Sequence, residues 1–253
     1  MDRRKFLDRL SSHKTPPWPC PSCRESVLEI LPGSFISGES SVSRDEREND
    51  AWEPTWTKNR YCCLLKCTNG SCGEKVANIG IGGFREAAGY DAKGEPVLEY
   101  PEWYEPRFFV PNLVLMDIPQ TTPEMVTKEL NSSFSLFFHD PNSAGNSIRA
   151  AIKALLTALK VKRFTVTKGK RSRIALHHRI EKLPSKYQNI EESLKAIKWI
   201  GNHGSHSGQM LTSDAVLDAY DLMEVVLDDL FSNKRKRLAG VAKKINSRKK
   251  PRA

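Results

Sequence analysis

The 253-residue chain has six cysteines, and four of them fall in two close pairs: Cys20-Pro-Ser-Cys23 and Cys67-Thr-Asn-Gly-Ser-Cys72, with 43 residues between. Four thiolates are a donor set for tetrahedral zinc, and a short spacer lets one tight turn aim both sulfurs of a pair at a single ion. Pro21, Asn69, Gly70 and Gly73 suit such turns. The expectation is one structural Zn2+ held by Cys20, Cys23, Cys67 and Cys72. A catalytic ion keeps an open position and usually takes a histidine or a carboxylate; the nearest histidine, His13, lies seven residues before Cys20. Free structural cysteines in strands are the alternative. Cys62 and Cys63 are neighbours on a strand-like run, so they point to opposite faces. One reads as core and the other as semi-exposed, neither as a ligand.

The rest of the composition limits what surrounds those cysteines. At roughly 100–200 residues per domain, one or two domains are expected. The chain is 39% hydrophobic and 28% charged, enough to build a core. Its net charge of +10 is unevenly placed: the ten cations from Phe231 to Ala253 face no acid, which leaves 30 of each sign before them. No window approaches the ~18–20 apolar residues of a membrane span, and Met1–Leu10 lacks the apolar stretch of a signal peptide. The reading is a cytoplasmic protein with no membrane partner, in a reducing compartment where paired cysteines favour metal over disulfide.

Local patterns then place the elements. The first thirteen residues read as a short charged helix with Phe6 and Leu10 on one side, ended by the prolines of Thr15-Pro-Pro-Trp-Pro-Cys20. Residues 27–33 read as one short strand, and 34–50 as a mobile surface loop. Between Trp52 and Pro111, apolar runs at Tyr61–Leu65, Val76–Ile81, Val97–Tyr100 and Arg107–Val110 alternate with Gly and Pro signals, the mark of strands. Thr121-Thr-Pro-Glu124 is a helix start. Helical spacing follows at Met125, Leu130, Phe134 and Phe137; at Ile148, Ile152, Leu155, Leu156 and Leu159; at Ile190, Leu194 and Ile197; and at Val216, Ala219, Met223, Val226 and Leu230, with a shorter segment over Leu176, Ile180 and Leu183. The fold class is therefore α+β. Its expected parts are an N-terminal helix (1–14), a small β-rich four-cysteine zinc-ribbon domain (15–118), a bundle of four to five helices (119–232) and a disordered basic tail (233–253).

Three stretches of the helical half carry a resemblance: Asp140-Pro-Asn-Ser-Ala-Gly-Asn-Ser-Ile-Arg149-Ala-Ala-Ile-Lys153, Leu176-His-His-Arg179-Ile180-Glu-Lys-Leu183, and Leu194-Lys-Ala-Ile-Lys198-Trp-Ile-Gly201-Asn202-His-Gly-Ser-His206. Their succession, with the approach Pro111–Pro119, resembles the domain-of-unknown-function family 4145, a HEPN-like helical domain, over roughly residues 105–231. The resemblance implies a homodimer formed through the bundle, an upstream zinc ribbon, and association with prokaryotic defence or restriction systems. The wider group includes metal-independent ribonucleases that use an Arg–His pair at a dimer interface. Here Lys198 stands where the family usually has Arg, and Lys153 stands where it commonly has Glu. Lysine lacks the bidentate fork of arginine, and Arg149 and Lys153 place two like charges one turn apart.

From the residues alone, Lys198, Asn202 and His206 lie at i, i+4 and i+8 and share one face of a helix. They form a phosphate-facing strip with His206 as the catalytic group, a binding strip without chemistry, or a structural strip in which Gly201 admits close packing and Asn202 and His206 bond loop backbone. Trp199 reads as core and His203 as exposed. Residues 141–180 contain ten cations and no acid, and seven of these sit in one interhelical connection: Lys160, Lys162, Arg163, Lys168, Lys170, Arg171 and Arg173, with Phe164 among them. A solvated loop, or one paired with the acidic face Asp214, Asp218, Asp221 and Asp228, is the bland counterpart. The tail adds Lys234, Arg235, Lys236, Arg237, Lys243, Lys244, Arg248, Lys249 and Lys250. Such runs bind polyanions through charge without reading sequence. Leu238, Val241 and Ile245 give the tail too thin an apolar side for a membrane-surface helix. The chain is thus expected to be a binding or accessory protein for an RNA or DNA backbone. A ribonuclease using His206, or an adaptor for another defence subunit, is the alternative. No phosphate-cradling glycine loop, serine elbow or paired-carboxylate signature supports NTP hydrolysis or acyl transfer.

Overall fold

The computed structural model describes residues 3–206, 210–232 and 234–248, except the side chains of 203–206 and 234–239. The chain divides into two compact units, one of residues 2–114 with 134–140, the other of residues 115–133 with 141–253. It combines an N-terminal sheet within residues 28–110 with C-terminal helices.

The N-terminal unit opens with a single helical turn, α1 (Arg4–Leu7). Phe6 and Leu10 are both buried as expected, but Leu10 lies outside the helix and exchanges two backbone hydrogen bonds with Tyr104, at 3.0 and 2.9 Å. A helix of one turn cannot hold itself together, so pairing with a strand decides where Leu10 sits. Strands β1 (Leu28–Ile30), β2 (Ile36–Glu39), β3 (Asn59–Cys67) and β4 (Lys75–Phe84) follow, with a five-residue helix α2 (Ser41–Asp45) after β2. Strand β2 and helix α2 correct the expected mobile loop over 34–50. The Ser40 side chain caps α2 by accepting from the Ser43 N–H, and Ser43 itself is buried, its hydroxyl donating to Glu39 at 2.7 Å. Polar composition suggested solvent, whereas local side-chain hydrogen bonds order the segment. A hairpin of β5 (Ala87–Tyr90) and β6 (Pro96–Glu99) precedes β7 (Glu102–Val110).

Strands β1, β3, β4 and β7 form the main sheet in that order, all antiparallel, and β2 pairs with the other end of β3. Strict alternation along β3 buries Tyr61, Cys63, Leu65 and Cys67 on one face. Trp18, Leu28, Val76, Tyr104 and Phe109 join them, with the Trp18 and Phe109 rings edge-on at 5.0 Å. One polar group sits in this layer without penalty. Asn78 is fully buried, accepts from the Tyr61 hydroxyl at 2.7 Å and donates to the Phe108 carbonyl at 2.9 Å. Burial pushes the Tyr61 phenol well above its ordinary value.

In the second unit, helices α3 (Glu124–Leu136) and α4 (Pro141–Ala158) are followed by α5 (Leu176–Ile180), α6 (Glu191–His206) and α7 (Ser213–Phe231). Apolar positions recurring at helical spacing form its core: Leu130 from α3, Ile148, Ile152 and Leu155 from α4, Leu194 and Ile197 from α6, and Val216 and Met223 from α7 are all buried. In α3 the expected Leu130 and Phe134 are buried, but at its start Val126 and not Met125 faces inward, Met125 being half exposed. Ser133 donates to the Ala144 carbonyl at 2.8 Å and pairs with the Tyr220 hydroxyl at 2.8 Å, so neither buried hydroxyl is orphaned.

Two segments differ from expectation. The connection between α4 and α5 is a ribbon of β8 (Phe164–Thr167) and β9 (Lys170–Arg173), turned by Lys168 and Gly169 with φ of 50° and 73°. Two positive φ values in a two-residue loop make the turn type that matches strand twist. The tail also forms a helix, α8 (Lys234–Arg248), where a disordered arm was expected. Lys, Arg, Ala and Leu are good helix formers, which charge counting alone ignores.

Candidate metal centre and cationic surfaces

The first cysteine pair is held by a turn pinned at both ends. Pro19 and Val27 pair across it, Cys20 donates its N–H to Ser26 at 2.8 Å, and the Arg24 N–H returns to the Cys20 carbonyl at 3.0 Å. Arg24 closes the turn in left-handed backbone, φ 60°. The second pair starts at the last residue of β3, where the register Leu28↔Cys67 sets β1 beside it. The Asn69 carbonyl accepts from the N–H groups of Cys72 and Gly73, at 3.0 and 3.1 Å, while Cys67 donates to Glu74 at 2.9 Å. Ser22, in the first turn, bonds the Glu74 carboxylate. Strand pairing therefore brings together two turns that are far apart in the chain.

The sulfurs of Cys20 and Cys72 lie 3.8 Å apart and those of Cys23 and Cys67 3.7 Å apart, with all four ligand atoms within 4.8 Å of one another. Four sulfurs each roughly 2.3 Å from one tetrahedral ion are about 3.8 Å apart, whereas a disulfide would need about 2.05 Å. The cluster has the dimensions of a four-thiolate cage and could bind a metal ion. Cys20 and Cys67 are buried, and Cys23 and Cys72 are half-buried, as in a closed site. The Glu25 N–H donating to Cys23 holds that thiol down at about 7, and burial pushes Cys67 up to about 12. Among the described residues this is the one such cluster of metal-ligating side chains. Cys63 is buried and Cys62 exposed, as opposite faces of one strand require.

The strip on α6 is placed differently. Gly201 lies against Gly145 of α4: a Cβ at 201 would stand 2.3 Å from Arg149 Cγ and 2.8 Å from the Gly145 carbonyl oxygen. The glycine thus lets two helix backbones meet, with the Arg149 stem passing over it. Lys198 is only 5% exposed. Its ammonium sits 3.4 Å from the centre of the Trp199 ring and 3.5 Å from His177 Nδ1. Trp199 is 61% exposed, contrary to the core position expected of it. Asn202 is half-buried, and its Oδ1 is buried with no hydrogen-bond partner among the described residues. The side chains of His203 and His206 lie outside the described residues. Arg179 is buried and caps the end of α4, donating to the carbonyls of Lys153 and Val161 at 3.2 Å and to the Thr157 hydroxyl at 3.1 Å.

Burial lowers the Lys198 ammonium from its ordinary 10.5, and Arg149 lowers it further. Lys153 is shifted the same way, by burial first and then by Arg149 and Arg173. Lys198 therefore opposes folding. Because the unfolded chain holds that proton more tightly, the penalty shrinks as pH rises through the alkaline range toward 10.5. Lys198→Met keeps the stem and removes the charge, so its melting temperature at pH 7 should exceed the parent's by a few degrees, and by less at pH 10. Scanning calorimetry at the two pH values measures both.

The α4–α5 connection is an open cationic surface. Every residue of β8 and β9 is exposed, as are Lys160, Lys162, Arg163, Lys168 and Gly169. Among the described residues none of the seven cations is ion-paired. Arg171 lies over the Phe164 ring at 3.9 Å, so a planar cation already covers one face of that ring. On α8, Lys243, Lys244 and Arg248 are exposed. The side chains of Lys234, Arg235, Lys236 and Arg237, together with Lys249 and Lys250, lie outside the described residues. No described helix is long and apolar enough to cross a membrane.

With the geometry in place, the comparisons align with both halves. Residues 131–248 match the family described as Domain of unknown function (DUF4145), which the sequence resemblance named. Residues 8–109, with the sheet and all six cysteines, match a second one, Domain of unknown function (DUF8608). No curated protein and no solved structure matches the chain. The sequence marked Gly201 as a close-packing position but not its partner Gly145, nor the paired ribbon. Gly145 sits inside the quoted stretch, but a small residue shows no partner until two helices are assembled. The Lys168-Gly169 turn was the available signal for the ribbon.

Proposed function

We propose that the chain is a zinc-stabilised, HEPN-like accessory protein of a prokaryotic defence system that binds RNA or DNA through backbone charge. In this reading it works as a cytoplasmic homodimer formed through the helical bundle. The observation that carries the proposal is the β8–β9 ribbon with its approach: Lys170, Arg171 and Arg173 on β9, Lys168 in the turn, and Lys160, Lys162 and Arg163 leading into β8, all exposed and, among the described residues, not ion-paired. A two-stranded ribbon of this kind fits a nucleic-acid groove, and the ten cations at the C-terminus add further charge for a polyanion. One Zn2+ on Cys20, Cys23, Cys67 and Cys72 is structural here, since every ligand is a thiolate and none is left open. Hydrolysis by His206 gains no support from Lys198, whose ammonium is buried against Trp199 and not presented to a phosphate.

Affinity for a labelled oligonucleotide is the test. A protein using six or more phosphate contacts should lose roughly 10^3-fold in affinity or more between 50 and 200 mM salt. Changing Lys168, Lys170, Arg171 and Arg173 to glutamine should flatten the log–log slope by about 3, and removing residues 232–253 should flatten it further. A chain that ignores oligonucleotides in dilute buffer refutes the proposal.

A further inference from the structure

The face of the main sheet opposite its core is not that of a solvated sheet. An antiparallel sheet with one covered face normally turns polar residues to water on the other. Here the outward positions of β3, β4 and β7 include Cys62, Leu64, Ile79, Phe108 and Val110, all exposed. Ile79 keeps 48% of its surface and Phe108 38%. Strand β2 adds exposed Ile36 at the side, and with Cys62, Ile79 and Phe108 it lines an open groove of about 660 Å³. That size lies in the range of ~300–1,000 Å³ found for ligand sites, and a contiguous exposed apolar surface signals a partner.

The charges around the groove say what kind. Arg60 and Arg107 both line it, as does His139, whose ring lies 4.5 Å from that of Phe108 and is tilted by 35°. Glu105 is the neighbouring acid, and Arg107 neutralises it at 3.1 Å. The groove therefore joins an apolar floor and an exposed aromatic pair to a cationic rim. That combination suits a ligand with flat apolar faces on a polyanionic backbone. A purely apolar peptide would leave Arg60 without a counter-charge.

We propose that this groove takes the unpaired bases of a single-stranded nucleic acid, stacked on Phe108 and His139, with backbone phosphates against Arg60 and Arg107. The inference rests on the nucleic-acid reading above and deepens it, giving that reading a base-contacting site and a preference for single strands. Base–aromatic stacking tolerates any sequence because every base has a flat face, which agrees with binding that is not sequence-selective.

Cys62 supplies the test, because it is exposed in the groove wall while Cys63 is buried and the other four thiols are clustered. The full-length, metal-loaded protein is treated with N-ethylmaleimide, and modification of Cys62 is followed by mass spectrometry. The probes are a saturating 15-nucleotide oligothymidine, the matching duplex, and phosphatidylglycerol vesicles. The single strand should slow Cys62 alkylation at least tenfold and the duplex should not, and Phe108→Ala should weaken single-strand affinity roughly 5- to 100-fold. Unchanged alkylation while the single strand is bound overturns the groove site and leaves the ribbon reading standing. Equal protection by duplex, or protection by vesicles alone, also overturns it. Failure of every oligonucleotide to bind removes both readings together.

Discussion

Stripping the metal with a strong chelator, or removing one ligand by Cys67→Ser, is expected to lower the melting temperature of the N-terminal unit by more than 10 °C. Two turns 43 residues apart in sequence would lose the ion proposed to join them, leaving the Cys67–Glu74 bond, the Ser22–Glu74 contact and the β1–β3 ladder. In isolated zinc-finger peptides the ion contributes about 10–16 kcal/mol. Here Trp18, Leu65, Val76 and Tyr104 already supply a core, so a smaller share of the unit's stability depends on it. Even about 3 kcal/mol corresponds to a fall of roughly 12–24 °C in a domain of 60–100 residues. The ligands must be deprotonated to bind, so the metal-borne stability should weaken as pH falls. Elemental analysis should find one zinc per chain in the parent and in Cys62→Ser, and little in Cys67→Ser. Equal melting of the parent and the chelated protein would dismiss the structural role.

The second large effect concerns Gly201→Ala, expected to cost the helical unit about 2–3 kcal/mol, within the usual range for overpacking. The added methyl meets two obstacles of different kinds. The Arg149 stem, 2.3 Å away, can rotate aside, but the Gly145 carbonyl, 2.8 Å away, belongs to the backbone of α4. Either α4 and α6 separate or the carbonyl tilts out of its own helix. Adding Arg149→Ala should therefore recover only part of the loss. Urea denaturation of the single and double variants gives the coupling directly. A neutral Gly201→Ala would show that the helices do not meet at that point. The experiment also bears on function, because it separates a glycine retained for packing from one retained for chemistry at Asn202.

What could be read from the chain without its fold is what short stretches decide for themselves. The cysteine spacers specify turns that aim two sulfurs together, and Cys20, Cys23, Cys67 and Cys72 do meet. Apolar runs between Gly and Pro signals located β3, β4, β6 and β7, and a period of about 3.6 residues located the apolar faces of α4, α6 and α7, because burying one face is what that pattern permits. Whether a face is covered, and by what, depends on residues far away in sequence. Trp199 has the composition of a core residue, yet it lies outward because Ile197, two residues before it, and the Gly201 contact turn α6 inward on its other side. Leu10 leaves its helical pattern because a partner on β7 offers two backbone hydrogen bonds that one helical turn cannot match. The apolar outer face of the sheet and the pairing of the cationic connection into a ribbon emerge only when strands take their register. Local spacing encodes conformation, whereas exposure is a property of the assembled neighbours.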